Sequence, residues 1–133
     1  SINQAKTVQE LHQLLLSLIK AQQKQVRYSE NVERVVTILH DHYNEPLTLK
    51  EVSESLHLNV MYLGQLFKKE TKKSFSVYLN HLRIEQAKWL LLHSSHNINE
   101  ISNEIGYNNT TYFSKLFKKM VGQSPKEYRE GQR

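Results

Sequence analysis

The chain repeats itself, and that limits what it can fold into more than any other feature. TLKEVSESLHLNVMYLGQLFKK at 48–69 and NINEISNEIGYNNTTYFSKLFKK at 97–119 carry the same pattern. Leu49, Glu51, Val52, Ser53 and Leu56 match Ile98, Glu100, Ile101, Ser102 and Ile105, 49 positions on. Tyr62, Leu63, Leu66, Phe67, Lys68 and Lys69 match Tyr112, Phe113, Leu116, Phe117, Lys118 and Lys119, 50 positions on. The single change of offset requires one extra residue between the two blocks. Inside a helix it would rotate every later side chain by about 100°, so it belongs in a turn.

Each copy reads as a short helix, a tight turn and a second helix. Thr48 with Glu51, and Asn97 with Glu100, have the spacing of a capping box, which satisfies the free amides of a helix start. Gly106 suits the left-handed residue that closes such a helix, and Asn59 and Asn109 suit the N-caps of the second helices. In those helices Leu63, Leu66 and Phe67, like Phe113, Leu116 and Phe117, form one buried stripe. The opposite face carries Val60, Met61, Gly64, Gln65 and Lys68 in the first copy, and Thr110, Thr111, Ser114, Lys115 and Lys118 in the second. Small and polar residues at an exposed helix start, with lysines further along, have the layout of a helix that reads base edges in a major groove and neutralises phosphates. For one copy an ordinary amphipathic helix with a solvated face explains as much; two matched copies favour recognition.

Between the copies, Phe75, Tyr78, Leu79, Leu82, Ala87, Leu90 and Leu91 recur at helical spacing from about Ser74 to His93. Such a helix measures roughly 27–29 Å, near the roughly 34 Å between successive major-groove faces on one side of a duplex. After the second copy Gly122 closes a helix, and Ser124, Pro125 and Glu127 open a short last one, with Tyr128 expected to pack beneath the second unit. The expected architecture is all-α: two helix-turn-helix units joined by a long linker helix.

Charge agrees. Residues 1–45 hold five basic and five acidic side chains, and residues 46–133 hold thirteen against eight, so the whole formal excess of +5 lies with the repeat. Such a segment favours a polyanion. Residues 1–27 differ in character: Val8, Leu11, Leu15 and Leu18, widened by Leu14 and Ile19, give an amphipathic helix before AQQKQ (21–25) turns polar. That helix either packs on its own domain, ends a linker from a further domain, or pairs as a short coil. The domain boundary is placed at residues 27 and 28.

Other classes find little support. No apolar run approaches the roughly 18 residues of a membrane span, and no secretory signal is recognisable. The absence of cysteine removes thiolate metal sites and fits a reducing cytoplasm. His93 and His96 straddle a helix end, His40 and His42 diverge, and no carboxylate completes a metal set. No nucleophile triad or glycine-rich phosphate loop stands out, so neither an enzyme nor a cofactor is expected. Tyr62, Tyr107 and Tyr112 are assigned to turn and core positions rather than to base stacking. The chain opens on serine rather than methionine, as a fragment would.

These motifs resemble the AraC/XylS family of bacterial transcription regulators over about Val32 to Arg129. The carrying stretches are LTLKEVSESLHLNVMYLGQLFKKET (47–71), FSVYLNHLRIEQAKWLL (75–91) and INEISNEIGYNNTTYFSKLFKKMVGQSPKEYR (98–129). The resemblance implies a module of about seven helices that binds double-stranded DNA, contacts RNA polymerase to activate transcription, and follows a sensing or phosphorylation-controlled receiver domain. It implies base reading by Met61, Gly64 and Gln65 in the first unit and by Thr110, Thr111, Ser114 and Lys115 in the second. It places Lys68, Lys69, Lys118 and Lys119 on the DNA backbone, with Lys72 and Lys73 adding charge nearby. Arg83 matches a family arginine, serving either a buried pairing or a phosphate contact. Two departures stand out. Gly64 replaces a larger polar reader, which suggests a close backbone approach. Lys72 replaces the glycine that Gly122 supplies in the second copy, which suggests a less well-formed helix end. A helical interaction module docking its basic face on an acidic partner is the alternative.

Overall fold

The computed structural model of the chain describes residues 2–23 and 27–132. Among them there are eight helices and no strand: α1 Ile2–Gln23, α2 Glu30–His42, α3 Leu49–Ser55, α4 Val60–Thr71, α5 Phe75–His93, α6 Ile98–Glu104, α7 Thr110–Val121 and α8 Pro125–Gln132. The chain divides into two compact parts, residues 1–30 and 31–133. The first is essentially α1, along which Val8, Leu11, Leu14, Leu15 and Leu18 are each 43–56% exposed. The side chain of Ile19 and the polar residues Lys24 and Gln25 lie outside the described residues.

In the second part, α3–α4 and α6–α7 are the two helix-turn-helix units, and the backbone hydrogen bonds of their turns repeat. The Leu58 amide donates to the Ser53 carbonyl and the Tyr107 amide to that of Ser102, each at 2.9 Å. The His57 and Gly106 amides donate to Glu54 and Asn103 at 3.1 and 3.2 Å. These bonds close α3 and α6 in the same left-handed turn. The extra residue lies in that turn: Leu58 leads directly to the cap Asn59, whereas Asn108 intervenes between Tyr107 and the cap Asn109. Asn97 and Glu100 form the full reciprocal capping box, as do Ser124 and Glu127. Thr48 caps Glu51, but the Glu51 carboxylate accepts from the Thr48 hydroxyl instead of from its backbone amide.

Helix α5 carries apolar residues on two faces, one for each unit. Its first turns meet the first unit, where the Phe67 ring packs edge-on against Phe75 at 6.2 Å and Tyr78 at 5.4 Å. Further along, Ile84, Ala87, Leu90 and Leu91 enter a core with Ile101, Ile105, Tyr107, Phe113 and Phe117. Helix α8 closes it from below, with Tyr128 against Phe117 at 5.6 Å as the sequence suggests. Truncating a phenylalanine buried this completely typically costs about 3–5 kcal/mol.

Two phenols in this part, the buried Tyr107 and the half-buried Tyr43, titrate late. Burial pushes Tyr107 up to about 12, against the opposing pull of the Arg83 guanidinium. Burial likewise lifts Tyr43 to about 12, and the Glu104 carboxylate adds to the effect. An acid whose pKa is raised by folding stabilises the fold below its unfolded value and loses that contribution as pH rises through the folded one. The contribution of these two phenols to stability should therefore be level up to about pH 10 and fall between there and about 12, with tyrosinate absorbance rising as helical circular dichroism is lost. Ionisation of both phenols near pH 10 with the fold intact is the contrary result.

The end of the first recognition helix corrects an expectation. Lys72 sits at φ 68°, ψ 9° and its amide donates to the Lys68 carbonyl at 2.9 Å; Gly122 does the same toward Lys118 at 2.8 Å. The helix end is fully formed, and the lysine adopts the left-handed conformation that a Cβ disfavours by roughly 1–2 kcal/mol. After allowing for the looser unfolded chain of a glycine variant, Lys72→Gly should stabilise the protein by about 0.5–1 kcal/mol. Thermal unfolding reads this as a melting point raised by a few degrees; an unchanged or lower value contradicts it.

Candidate nucleic-acid interface

Helices α4 and α7 begin at asparagine caps whose side chains accept from the Tyr62 and Tyr112 amides at 3.0 and 2.9 Å. With Leu63 and Phe67, or Phe113 and Phe117, buried on one side, helical geometry turns a defined set outward. In α4 Met61 is 70% exposed, Gln65, Lys68 and Lys69 are exposed, and Gly64 is half-buried. In α7 Thr111, Lys115, Lys118 and Lys119 are exposed and Ser114 is half-buried. Lys72 is exposed beside them. No salt bridge among the described residues neutralises any of these lysines. A face whose cations make no salt bridge with a described residue keeps its charge for an external anion.

Thr110 stands apart from Thr111. It is half-buried, and its hydroxyl donates to the Asn99 side-chain oxygen on α6. This bond fixes the start of α7 against α6 and engages the hydroxyl proton. Asn99 was not visible as a site residue, because its partner lies eleven positions away across the turn.

Inside the fold, a Cβ at Gly64 would sit 3.0 Å from the end of the Leu49 side chain on α3, which would have to give by a few tenths of an ångström. The tyrosine assignments divide. Tyr107 is buried in the turn as expected, but Tyr62 and Tyr112 are each 52% exposed. Each directly precedes the first buried residue of its helix, which rotates it about 100° off the core stripe to the edge of the outward face. Their matched positions in the two copies were the available signal. Tyr112 borders a cleft of about 500 Å³ between the units, lined also by Thr48, Gly64, Lys68 and Ser74.

Arg83 lies away from this surface. It is 8% exposed in the middle of α5, with its Nε donating to the Tyr43 carbonyl at 2.6 Å and its Nη2 to the Glu45 carbonyl at 2.9 Å. Of its two expected roles, the buried pairing is the one present. No cluster of three or more histidine, aspartate or glutamate side chains placed to hold a metal occurs among the described residues. No helix described is long and apolar enough to cross a membrane.

Known proteins share this arrangement. A family model described as a helix-turn-helix domain matches residues 52–131. The chain is 31% identical to the Msm operon regulatory protein of Streptococcus mutans over 98% of its own length and 49% of that protein's. It spans about half, or less, of the length of the curated relatives it matches. Among solved structures, the C-terminal domain of AraT, a response regulator from Geobacillus stearothermophilus, aligns with a TM-score of 0.77 at 38% identity, covering 79% of this chain and 88% of that one. The DNA-binding domain of AdpA, solved with a target DNA, shares the fold with a TM-score of 0.74 at 22% identity, covering 79% and 95%. With both helix-turn-helix units in place and the family model spanning most of them, the chain belongs to the AraC/XylS-type helix-turn-helix family of DNA-binding regulators.

Proposed function

We propose that this chain is the DNA-reading part of a bacterial transcription regulator, placing α4 and α7 in adjacent major grooves of one duplex. The observation that carries the reading is the pair of equivalent helices whose outward lysines form no salt bridge with any described residue. Thr111, Ser114 and Lys115 of α7, and Met61, Gly64 and Gln65 of α4, meet base edges. Lys68, Lys69, Lys72, Lys118 and Lys119 hold phosphates. Thr110 contributes chiefly by setting the start of α7 through Asn99.

The relatives suggest the wider setting. The Msm regulator, which this chain covers by half, and the AraT domain, taken from a response regulator, fit a sensing or receiver domain preceding this part. The division between residues 1–30 and 31–133 fits α1 as the connection to it, with the DNA-binding domain beginning near residue 28. Activation through contact with RNA polymerase, in the bacterial cytoplasm, completes the proposal.

Selection of bound sequences from a random duplex library at about 150 mM salt should recover a motif in two parts, each about the width of one major-groove contact. Thr111→Ala should weaken binding and relax preference within one part only, and Gln65→Ala within the other, each by about 5- to 100-fold against the best sequence, as for the loss of one base contact. Salt-sensitive binding with no motif, indifferent to both substitutions, would instead favour an interaction module with an acidic partner.

Backbone and base contacts separate by salt. If six or more phosphates are neutralised, affinity should fall about 10³-fold or more between 50 and 200 mM salt. Lys118→Ala should weaken binding to all sequences alike and lower the salt slope by about one. A change of sequence preference in Lys118→Ala, with an unchanged slope, would contradict its placement on the backbone.

A further inference from the structure

We propose that Arg83 is the positioning residue that fixes the separation of the two recognition helices, so that the protein measures the spacing between the two parts of its site. This rests on the two-groove reading above and extends it. Arg83 stands in α5, the helix shared by both units, and one guanidinium touches the segment that enters the first and the turn of the second. On one side its Nε and Nη2 donate to the carbonyls of Tyr43 and Glu45, in the segment that leads from α2 into α3. On the other side its central carbon lies 4.9 Å over the ring of Tyr107, in the turn between α6 and α7.

The second contact is tightly enclosed. Gly106 holds φ +104°, and a Cβ there would come within 3.0 Å of the guanidinium. The Tyr107 hydroxyl donates to the Asn80 side chain at 2.5 Å, and its ring meets that of Tyr112, on α7, at 5.7 Å. A path of direct contacts therefore runs from the entry of the first unit, through Arg83 and Tyr107, to the recognition helix of the second.

The internal repeat shows which part of this geometry is specific to the junction. Arg129 on α8 makes the same fork one unit later, donating to the Leu91 carbonyl at 2.9 Å and the Ser94 carbonyl at 3.2 Å, where α5 leads into α6. Each unit thus has its entry gripped by an arginine from the helix after its recognition helix. Arg83 adds to that shared grip a contact with the turn of the next unit.

The chemistry demands arginine. A planar fork can give two donors to two carbonyls while its face lies on a ring, which a lysine ammonium cannot do. No carboxylate pairs with Arg83 among the described residues, so its buried charge is compensated by those carbonyls and that ring. Moving either unit away strips a partner from a buried cation, which is steeply unfavourable.

Two recognition helices held this way fit one separation on DNA. Inserting a base pair between the two parts of the site shifts the second by about 3.4 Å and turns it by about 34°. The experiment compares affinities for the selected duplex and for the same duplex with one base pair inserted between its two parts. The wild type should prefer the unaltered spacing by about tenfold or more, as expected when tethered sites no longer match their span. Arg83→Lys should lower that ratio by at least about threefold, and Tyr107→Leu, which removes the ring but leaves the arginine, should lower it as well. A variant that is merely less stable loses active protein equally for both duplexes and leaves the ratio unchanged. Undiminished discrimination in both variants overturns the proposal. So does a wild type indifferent to the inserted base pair, and that result would leave sequence-specific reading by each unit standing.

Discussion

A seven-residue helix followed by a twelve-residue helix offers one apolar stripe and nothing opposite to bury it against, so neither helix-turn-helix unit can close a core alone. The molecule resolves this by giving both units the same third helix. The beginning of α5 packs Phe75 and Tyr78 on Phe67, and its end places Leu90 and Leu91 among Ile101, Phe113 and Phe117. The length of α5 sets the range of separation of the recognition helices, because each unit is docked on a different stretch of one rod. The Arg83 contacts to the entry of the first unit and the turn of the second hold the separation within that range. A flexible linker of similar length would join the units without orienting them.

The two copies share a hydrogen-bond pattern but not its strain. Both residues that take left-handed backbone in the second unit are glycine, Gly106 and Gly122; in the first unit the equivalent positions hold His57 at φ 57° and Lys72 at φ 68°. The difference is intelligible at one of the two. Gly106 holds φ +104°, which a side chain rarely adopts, and the Arg83 guanidinium would crowd a Cβ there at 3.0 Å. Nothing lies within 4 Å of a Cβ at Gly122, so space does not demand glycine there. Its counterpart Lys72 is exposed and adds a charge to the outward surface. At that position the first unit accepts backbone strain together with an exposed charge.

What was legible in the sequence was local. Caps, turn glycine, the inserted residue and the span of α5 all depend on neighbours within four or five positions, and each falls where periodicity and cap chemistry place it. What was not legible depends on distant partners. Leu49 crowds Gly64 from across a turn, and Asn99 engages Thr110 from another helix. The Tyr43 and Glu45 carbonyls that receive Arg83 lie 40 and 38 positions away, and backbone carbonyls leave no trace in residue types. Tyr62 and Tyr112 were misplaced for a different reason. An aromatic next to a buried stripe reads as part of it, although a shift of one position already turns a side chain to the rim.

The shared backbone also separates holding from reading. The residues that build each unit, Val52, Leu63 and Phe67 or Ile101, Phe113 and Phe117, are chemically alike, and so are the lysine pairs that follow. The outward faces differ throughout: Met61, Gly64 and Gln65 offer a thioether, a bare backbone and an amide, whereas Thr111, Ser114 and Lys115 offer two hydroxyls and an ammonium. An amide pairs most naturally with adenine, and an ammonium with the acceptors of guanine. On the proposed reading, two helices placed alike but equipped so differently call for different base pairs, so the duplex they fit has two unlike parts. Such a site has a direction, and a protein that binds both parts at once is oriented by it along the DNA.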